Sequence, residues 1–307
     1  MVSAPDSSAP DSTRAELSKR SIPHMVLYKG RNQSSIPTSP SKTFIGASEC
    51  ALNRFRVHGN AIVTGGTGTL GLAACIALLE HGLSGLAIFD VNVKQSEHQV
   101  ISLRERFPSR VITCSQVDVT SETAVQHAVD LAADTFGTIN HLLCFSGVVG
   151  CFNAIDMSAA QWRRIIDVNT TGSFLCAQAV ARKMVDQGTG GSIVFTASIS
   201  AHRVNYPQPQ AAYNVSKAAL ITLKNCLAAE WARYGIRTNS VSPGYMDTIL
   251  NEGPGIAEAR DVWAARNPTG RMGLPEELTG AIVMLSAETS SYINGTDVVV
   301  DGGAIVF

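Results

Sequence analysis

From Gly59 to the C-terminus, short apolar runs alternate with longer segments of helical character. The runs at 60–63, 85–89, 110–114, 140–144, 192–196, 237–241 and 297–300 read as strands, most of them near-continuously apolar and therefore buried on both faces. Between them, 72–80, 121–136, 159–184 and 211 to about 234 have the length and composition of helices. The expected fold is α/β: a single-domain, doubly wound parallel sheet of about seven strands with helices on both faces. Residues 1–56 lack this pattern and are rich in Ser, Pro, Thr and Lys. They are expected to form a flexible N-terminal arm, with 57–307 as the folded domain.

Composition narrows the function classes. The chain has 24 basic and 25 acidic residues among 307, a formal charge of −1, and no long run of either sign. A nucleic-acid or anionic-membrane partner is not expected. No apolar run approaches the roughly 18 residues needed to span a bilayer, and the first residues lack a basic start followed by an apolar core. Arg14, Lys19 and Arg20 suit an organelle presequence, but Asp6, Asp11 and Glu16 oppose it, so the expected location is cytoplasmic. The cysteines at 50, 75, 114, 144, 151, 176 and 226 are scattered, never in Cys-x-x-Cys spacing. They are expected to be buried free thiols, and no metal site is expected.

The first run leads directly into Thr64-Gly65-Gly66-Thr67-Gly68-Thr69-Leu70-Gly71 and then a helix. Strand, glycine turn and helix together suit a dinucleotide: the backbone approaches the pyrophosphate and the helix N-terminus offers N–H groups. The second run ends at Asp90, where an acid is expected to bind the adenosine ribose hydroxyls and repel a 2′-phosphate. With no Arg or Lys in the turn or directly after Asp90, the expected cofactor is NAD. Further on, Tyr213 and Lys217 are spaced i, i+4 in a predicted helix, so phenol and ammonium share a face. A nearby cation favours the phenolate, which makes Tyr213 a candidate proton acceptor or donor.

With these residues together, 57–307 resembles the short-chain dehydrogenase/reductase family. Its glycine motif is matched at Thr64, Gly65 and Gly71, and its Asn-Ser-Tyr-Lys tetrad at Asn169, Ser198, Tyr213 and Lys217. Pro243-Gly244, Thr248 and the terminal Asp301-Gly302-Gly303 also match. The resemblance implies a Rossmann-type fold and NAD-dependent interconversion of an alcohol and a ketone. It implies that Tyr213 exchanges the proton, Lys217 lowers its pKa, Ser198 binds the substrate oxygen, and Asn169 holds a relay water. Thr67, Gly68, Thr69, Leu70, Asp118, Val119, Ser146, Gly147 and Met246 complete the implied cofactor set. There are two departures: Thr69 stands where the middle glycine is expected, and Cys144-Phe145-Ser146-Gly147 replaces Asn-Asn-Ala-Gly. The second removes hydrogen bonds that the first Asn would give the sheet.

The segments 196–217 and 242–248 resemble, more narrowly, fungal polyol dehydrogenases and sorbose-reductase-like ketose reductases. A polyol/ketose pair is the substrate this implies, with 249–271 as a variable lid. Ser198, His202, Asn205 and Tyr245, together with Gln210 and Trp263, are candidates to line the substrate pocket. The same chemistry on a bulky fungal secondary metabolite is the alternative. A silent NAD-binding scaffold is the reading from another class, opposed by the complete tetrad. The resemblance also implies a homodimer or homotetramer, formed through the helices bearing Asn169 and Tyr213, with 174–177 as apolar contact.

Overall fold

The computed structural model describes residues 24–27, 47–248, 251 and 253–306. Most of the expected N-terminal arm lies outside these residues; within it, Ala47–Arg54 forms a helix, α1. Among the residues whose burial is described, Val57 is the first that is buried. The seven predicted strands are all present: β1 (Asn60–Thr64), β2 (Gly85–Asp90), β3 (Val111–Gln116), β4 (His141–Cys144), β5 (Gly191–Thr196), β6 (Ile236–Pro243) and β7 (Asp297–Val300). They form one sheet in the order β3-β2-β1-β4-β5-β6-β7, and every neighbouring pair is parallel. The chain starts in the middle and winds outward in both directions, so the order reverses between β1 and β4. Crossover helices diverge there, opening a crevice at the carboxyl ends of the strands.

Both faces of the sheet are covered, which is why its central strands are near-continuously apolar. One face packs Ile62, Leu142, Ile193 and Phe195 against α4 (Glu122–Phe136), α6 (Gly172–Gln187) and α7 (Ala211–Trp231). The other packs Val63, Leu86, Ile88 and Val194 against α2 (Thr69–Glu80), α3 (Glu97–Arg106) and α9 (Thr279–Ser286). Fully burying one such side chain stabilises the fold by about 1.5–3 kcal/mol. Among the described residues, no helix is long and apolar enough to cross a membrane.

The sequence pattern predicts one long helix over 159–184. Instead α5 (Ala159–Ile166), started by a Ser158–Gln161 capping box, is joined to α6 by a wide π-type turn, Asp167–Thr171. Such turns interrupt the regular ladder, and this one carries Asn169. Within 174–177, Cys176 and Ala177 are core residues, because α6 turns that side to the sheet and not outward. The cysteines also divide: Cys75, Cys144 and Cys176 are buried, whereas Cys151 and Cys226 are exposed. Burial pushes the Cys176 thiol up to about 12, so it behaves as an apolar side chain.

Candidate active site

At the carboxyl end of β1 the chain turns at Gly65, whose φ of +64° is rarely available to other residues. A Cβ there would lie 2.6 Å from the Ser146 nitrogen, and one at Gly71 would lie 2.3 Å from the Gly65 oxygen. Both glycines are therefore required by close backbone packing. Thr69 is the first residue of α2, the preceding Gly68 has an ordinary φ of −71°, and no described non-glycine residue has positive φ. The displaced glycine thus costs the turn no strain. No side chain caps α2, unlike α4 and α5, which are capped by Ser121 and Ser158. Its first amide donors are left for a ligand, with the positive end of the helix dipole behind them.

Asp90 closes this end of the crevice. Its Oδ2 accepts from the Thr67 hydroxyl at 2.5 Å and the Thr67 amide at 3.3 Å, and its Oδ1 accepts from the Asn92 amide at 3.1 Å. The carboxylate fixes the glycine turn while keeping lone pairs for ribose hydroxyls. The wall beyond it is Asn92, Gln95, Ser96 and Gln99, all neutral. The exit of β4 is tied to β1: the Ser146 amide donates to the Thr64 hydroxyl at 3.3 Å and the Phe145 amide to the Thr64 oxygen at 2.9 Å. Glycine cradle, uncapped helix and carboxylate together fit a nicotinamide dinucleotide.

These elements open onto one cleft of about 1570 Å³, larger than a typical small-molecule pocket. The expected cofactor residues line it, including Asp118 and Val119 after β3, Gly147 after β4, and Pro243, Gly244, Met246 and Thr248 after β6. So do Ser198, Tyr213 and Lys217. Tyr213 and Lys217 share the cleft-facing side of α7, with Lys217 Nζ 5.7 Å from the Tyr213 ring centre. One Lys217 N–H donates to the Thr196 oxygen at 2.7 Å, leaving two for other partners. Ser198 accepts from the Ser200 amide at 3.1 Å, which aims its hydroxyl.

The electrostatics differ from the sequence expectation. Burial pushes the Tyr213 phenol up to about 12, partly opposed by a hydrogen bond with Ser198. Burial also brings the Lys217 ammonium down to about 8. Loss of water therefore sets both values, and Lys217 is not among the groups that shift Tyr213. The ammonium is itself desolvated and already engaged by Thr196.

Asn169 does not line the cleft. It is fully buried; its Oδ1 accepts from the Val148 amide at 2.8 Å, and its Nδ2 donates to the Val148 oxygen and Ser216 Oγ, each at 3.0 Å. Ser216 Oγ in turn donates to the Tyr213 carbonyl at 2.8 Å. These bonds make the Asn169 side chain a brace between the β4 exit and the turn of α7 bearing Tyr213. His202 is also displaced from its expected role. Its Nε2 lies 2.9 Å from Asp297 Oδ2 on β7 and 3.2 Å from Ser242 Oγ, outside the cleft lining.

The opposite end of the cleft is built of side chains. Tyr245 stacks on Trp263 of α8 (Ala257–Ala265), with ring centres 4.1 Å apart and planes 5° from parallel. Its hydroxyl contacts the Asn205 amide at 2.8 Å and Gln208 Nε2 at 3.0 Å, and Trp263 Nε1 donates to Gln208 Oε1 at 3.1 Å. Gln210 reaches Cys151 Sγ at 3.4 Å. Of the expected lid, Ile249, Leu250 and Glu252 lie outside the described residues; Arg260 of α8 pairs with Asp247 at 2.9 Å. Gln208 and Cys151 were not among the sequence candidates. The available signal for Gln208 is its position between Pro207 and Pro209, immediately before the Tyr213 helix.

Known proteins agree with this geometry. A family model described as enoyl-(acyl carrier protein) reductase, of the short-chain alcohol dehydrogenase type, matches residues 66–304. An NADP-dependent mannitol dehydrogenase of Hypocrea jecorina is 35% identical over 82% of this chain and 94% of its own. A ribulose-forming D-arabinitol 2-dehydrogenase of Scheffersomyces stipitis is 36% identical over 81% and 95%. Among solved structures, a gluconate 5-dehydrogenase of Burkholderia cenocepacia, in complex with NADP and tartrate, superposes with a TM-score of 0.77. It is 31% identical, covering 84% of this chain and 99% of its own. The chain belongs to the short-chain dehydrogenase/reductase family of oxidoreductases.

Proposed function

We propose that the protein interconverts a polyol and a ketose with NAD in preference to NADP. The observation that carries the chemistry is the convergence of Ser198, Tyr213 and Lys217 in the cleft that also holds the glycine turn. Bound there, a nicotinamide dinucleotide supplies hydride transfer; the chain supplies binding, orientation and proton handling. Ser198 donates to the substrate oxygen and stabilises charge developing on it. Tyr213 takes the hydroxyl proton on oxidation and returns it on reduction. Lys217, with two N–H groups unspent, is placed to stabilise the phenolate as it forms. Thr248, buried beside Met246, suits the carboxamide.

The polyol reading rests on the polar substrate end and on the named activities of the mannitol and arabinitol dehydrogenases. NAD preference rests on Asp90 and its neutral neighbours, against the NADP dependence named for the mannitol dehydrogenase and the NADP bound to the gluconate 5-dehydrogenase. Exposed Trp162 on α5 and Val215 on α7 support the expected homo-oligomer. Steady-state assays with NAD and NADP on pentitols, hexitols and hydrophobic secondary alcohols test the function. Turnover confined to the hydrophobic alcohols would overturn the polyol reading, and better turnover with NADP would overturn the cofactor preference.

A further inference from the structure

The end of the cleft remote from Asp90 is a chain of fixed hydrogen bonds with one member left over. Trp263 Nε1 can only donate, so its 3.1 Å bond to Gln208 fixes which end of that amide is oxygen. Gln208 Nε2 must then donate to the Tyr245 hydroxyl. The Asn205 amide meets the same hydroxyl at 2.8 Å, while its other end, Oδ1, is buried without a partner among the described residues. A buried polar group without a partner is costly, and turning the Asn205 amide over does not remove the cost. With Nδ2 on Tyr245, both phenol lone pairs are taken; the phenol proton and the Asn205 oxygen are left over. With Oδ1 on Tyr245, an Asn205 N–H pair is left over instead. Either arrangement leaves hydrogen-bonding capacity in residues that line the cleft. Tyr245 is also close enough to Tyr213 to oppose ionisation of its phenol, so the surplus lies near the proton-transferring group.

We propose that Tyr245 and Asn205, held in register by Gln208 and Trp263, bind a second oxygen of the substrate on the carbon adjacent to the one that reacts. The inference rests on the alcohol–ketone reading above and deepens it: the preferred substrate is a vicinal diol or its α-hydroxy ketone. The stack of Tyr245 on Trp263 holds the phenol at one depth. A monofunctional ketone leaves the Asn205–Tyr245 surplus unpaired, and a site built to bond a hydroxyl rejects the analogue that lacks it.

The test compares ketone pairs differing in one hydroxyl, 3-hydroxy-2-butanone against 2-butanone and 1-hydroxy-2-hexanone against 2-hexanone, using NADH and NADPH. The wild-type kcat/KM ratio is expected to favour the hydroxy ketone by about tenfold or more. Tyr245→Phe, whose folding is checked by NADH titration, should reduce that ratio about tenfold, mainly through KM. Trp263→Phe keeps an aromatic stack but loses the indole donor; it should reduce the ratio by less, and it carries the same test if Tyr245→Phe does not fold. A wild-type ratio near one, or a ratio untouched in both variants, overturns the inference while leaving the alcohol–ketone reading intact. No turnover of any of the four ketones overturns both.

Discussion

The two ends of the cleft are built by different means. Around Gly65, Gly71 and the start of α2, the wall is backbone, and a single Cβ would collide with main-chain atoms. Around Tyr245, the wall is amides and aromatic rings drawn from the loop before α7, the exit of β6 and α8. A backbone wall presents the same N–H and C=O groups whatever the neighbouring side chains, so it suits a constant ligand. A side-chain wall can be rewritten without disturbing the sheet, so it suits a variable one. Tyr213, Ser198 and Lys217 lie where the two meet, and there the chemistry can be broken without disturbing either end. Tyr213→Phe removes the phenol hydroxyl, and with it the exchangeable proton and the hydrogen bond with Ser198. Its kcat should fall by about 10²–10⁴, the range typical of a lost general acid–base group. Dinucleotide affinity, measured by fluorescence titration, should hold within a few-fold. A variant retaining more than about a tenth of wild-type kcat would show that the proton travels by another route.

Asp90→Ala probes the backbone-built end at the carboxylate that holds the glycine turn. The carboxylate both orders Thr67 and, on the proposed reading, binds the ribose. Hydrogen bonds to a charged group contribute about 1.5–3 kcal/mol. The NAD:NADP ratio of kcat/KM should therefore fall by about 10- to 100-fold. NAD affinity should also drop, because the Thr67 hydroxyl loses its acceptor. An unchanged ratio would remove Asp90 from cofactor selection.

This difference in construction also explains what was legible in the sequence. Strand-length apolar runs and the Gly65–Gly71 spacing carry local signals, so the sheet and the glycine turn could be read directly. Asp90 was legible by its distance from the turn, but its bond to Thr67 was not. The wide turn at Asn169 was hidden because its composition is that of an ordinary helix; only its bonds to Val148 and Ser216, 21 and 47 residues away, show the role. The bond from the Ser146 amide to the Thr64 hydroxyl was hidden for the same reason, its partners being 82 residues apart. At the substrate end, Tyr245 and Trp263 were candidates without a reason to meet. Their stacking depends on where α8 lies, which no local pattern encodes.

The pH profile sharpens the junction between the ends. Burial pushes Tyr213 up to about 12 and brings Lys217 down to about 8, so the ammonium loses its proton before the phenol does. Oxidation needs the Tyr213 phenolate, so its kcat/KM should still be rising with pH above about 10, the ordinary tyrosine value. Reduction needs the protonated phenol and should decline over the same range. An oxidation profile already level by about pH 8 would mean that Lys217 lowers the phenol by more than burial raises it.

The smallest expected effect lies at His202, on the loop that also carries Asn205. Its ring faces Asp297 and Ser242, with the His202 side chain 29% and the Asp297 side chain 11% accessible. It tethers the loop to β7 from outside the cleft. His202→Ala removes one hydrogen bond but leaves Asp297 accepting from Ser240 at 2.6 Å and Ser242 at 2.8 Å, so no buried charge is stranded. The loss should be about 1 kcal/mol, or roughly 2–4 °C in Tm for a domain of this size. KM for the preferred substrate should change by less than about threefold, since a tether outside the cleft makes no bond that the substrate loses. A KM raised about tenfold with Tm unmoved would reverse the assignment: His202 would then reach the substrate, and the side-chain-built end would extend past Asn205 along the whole loop.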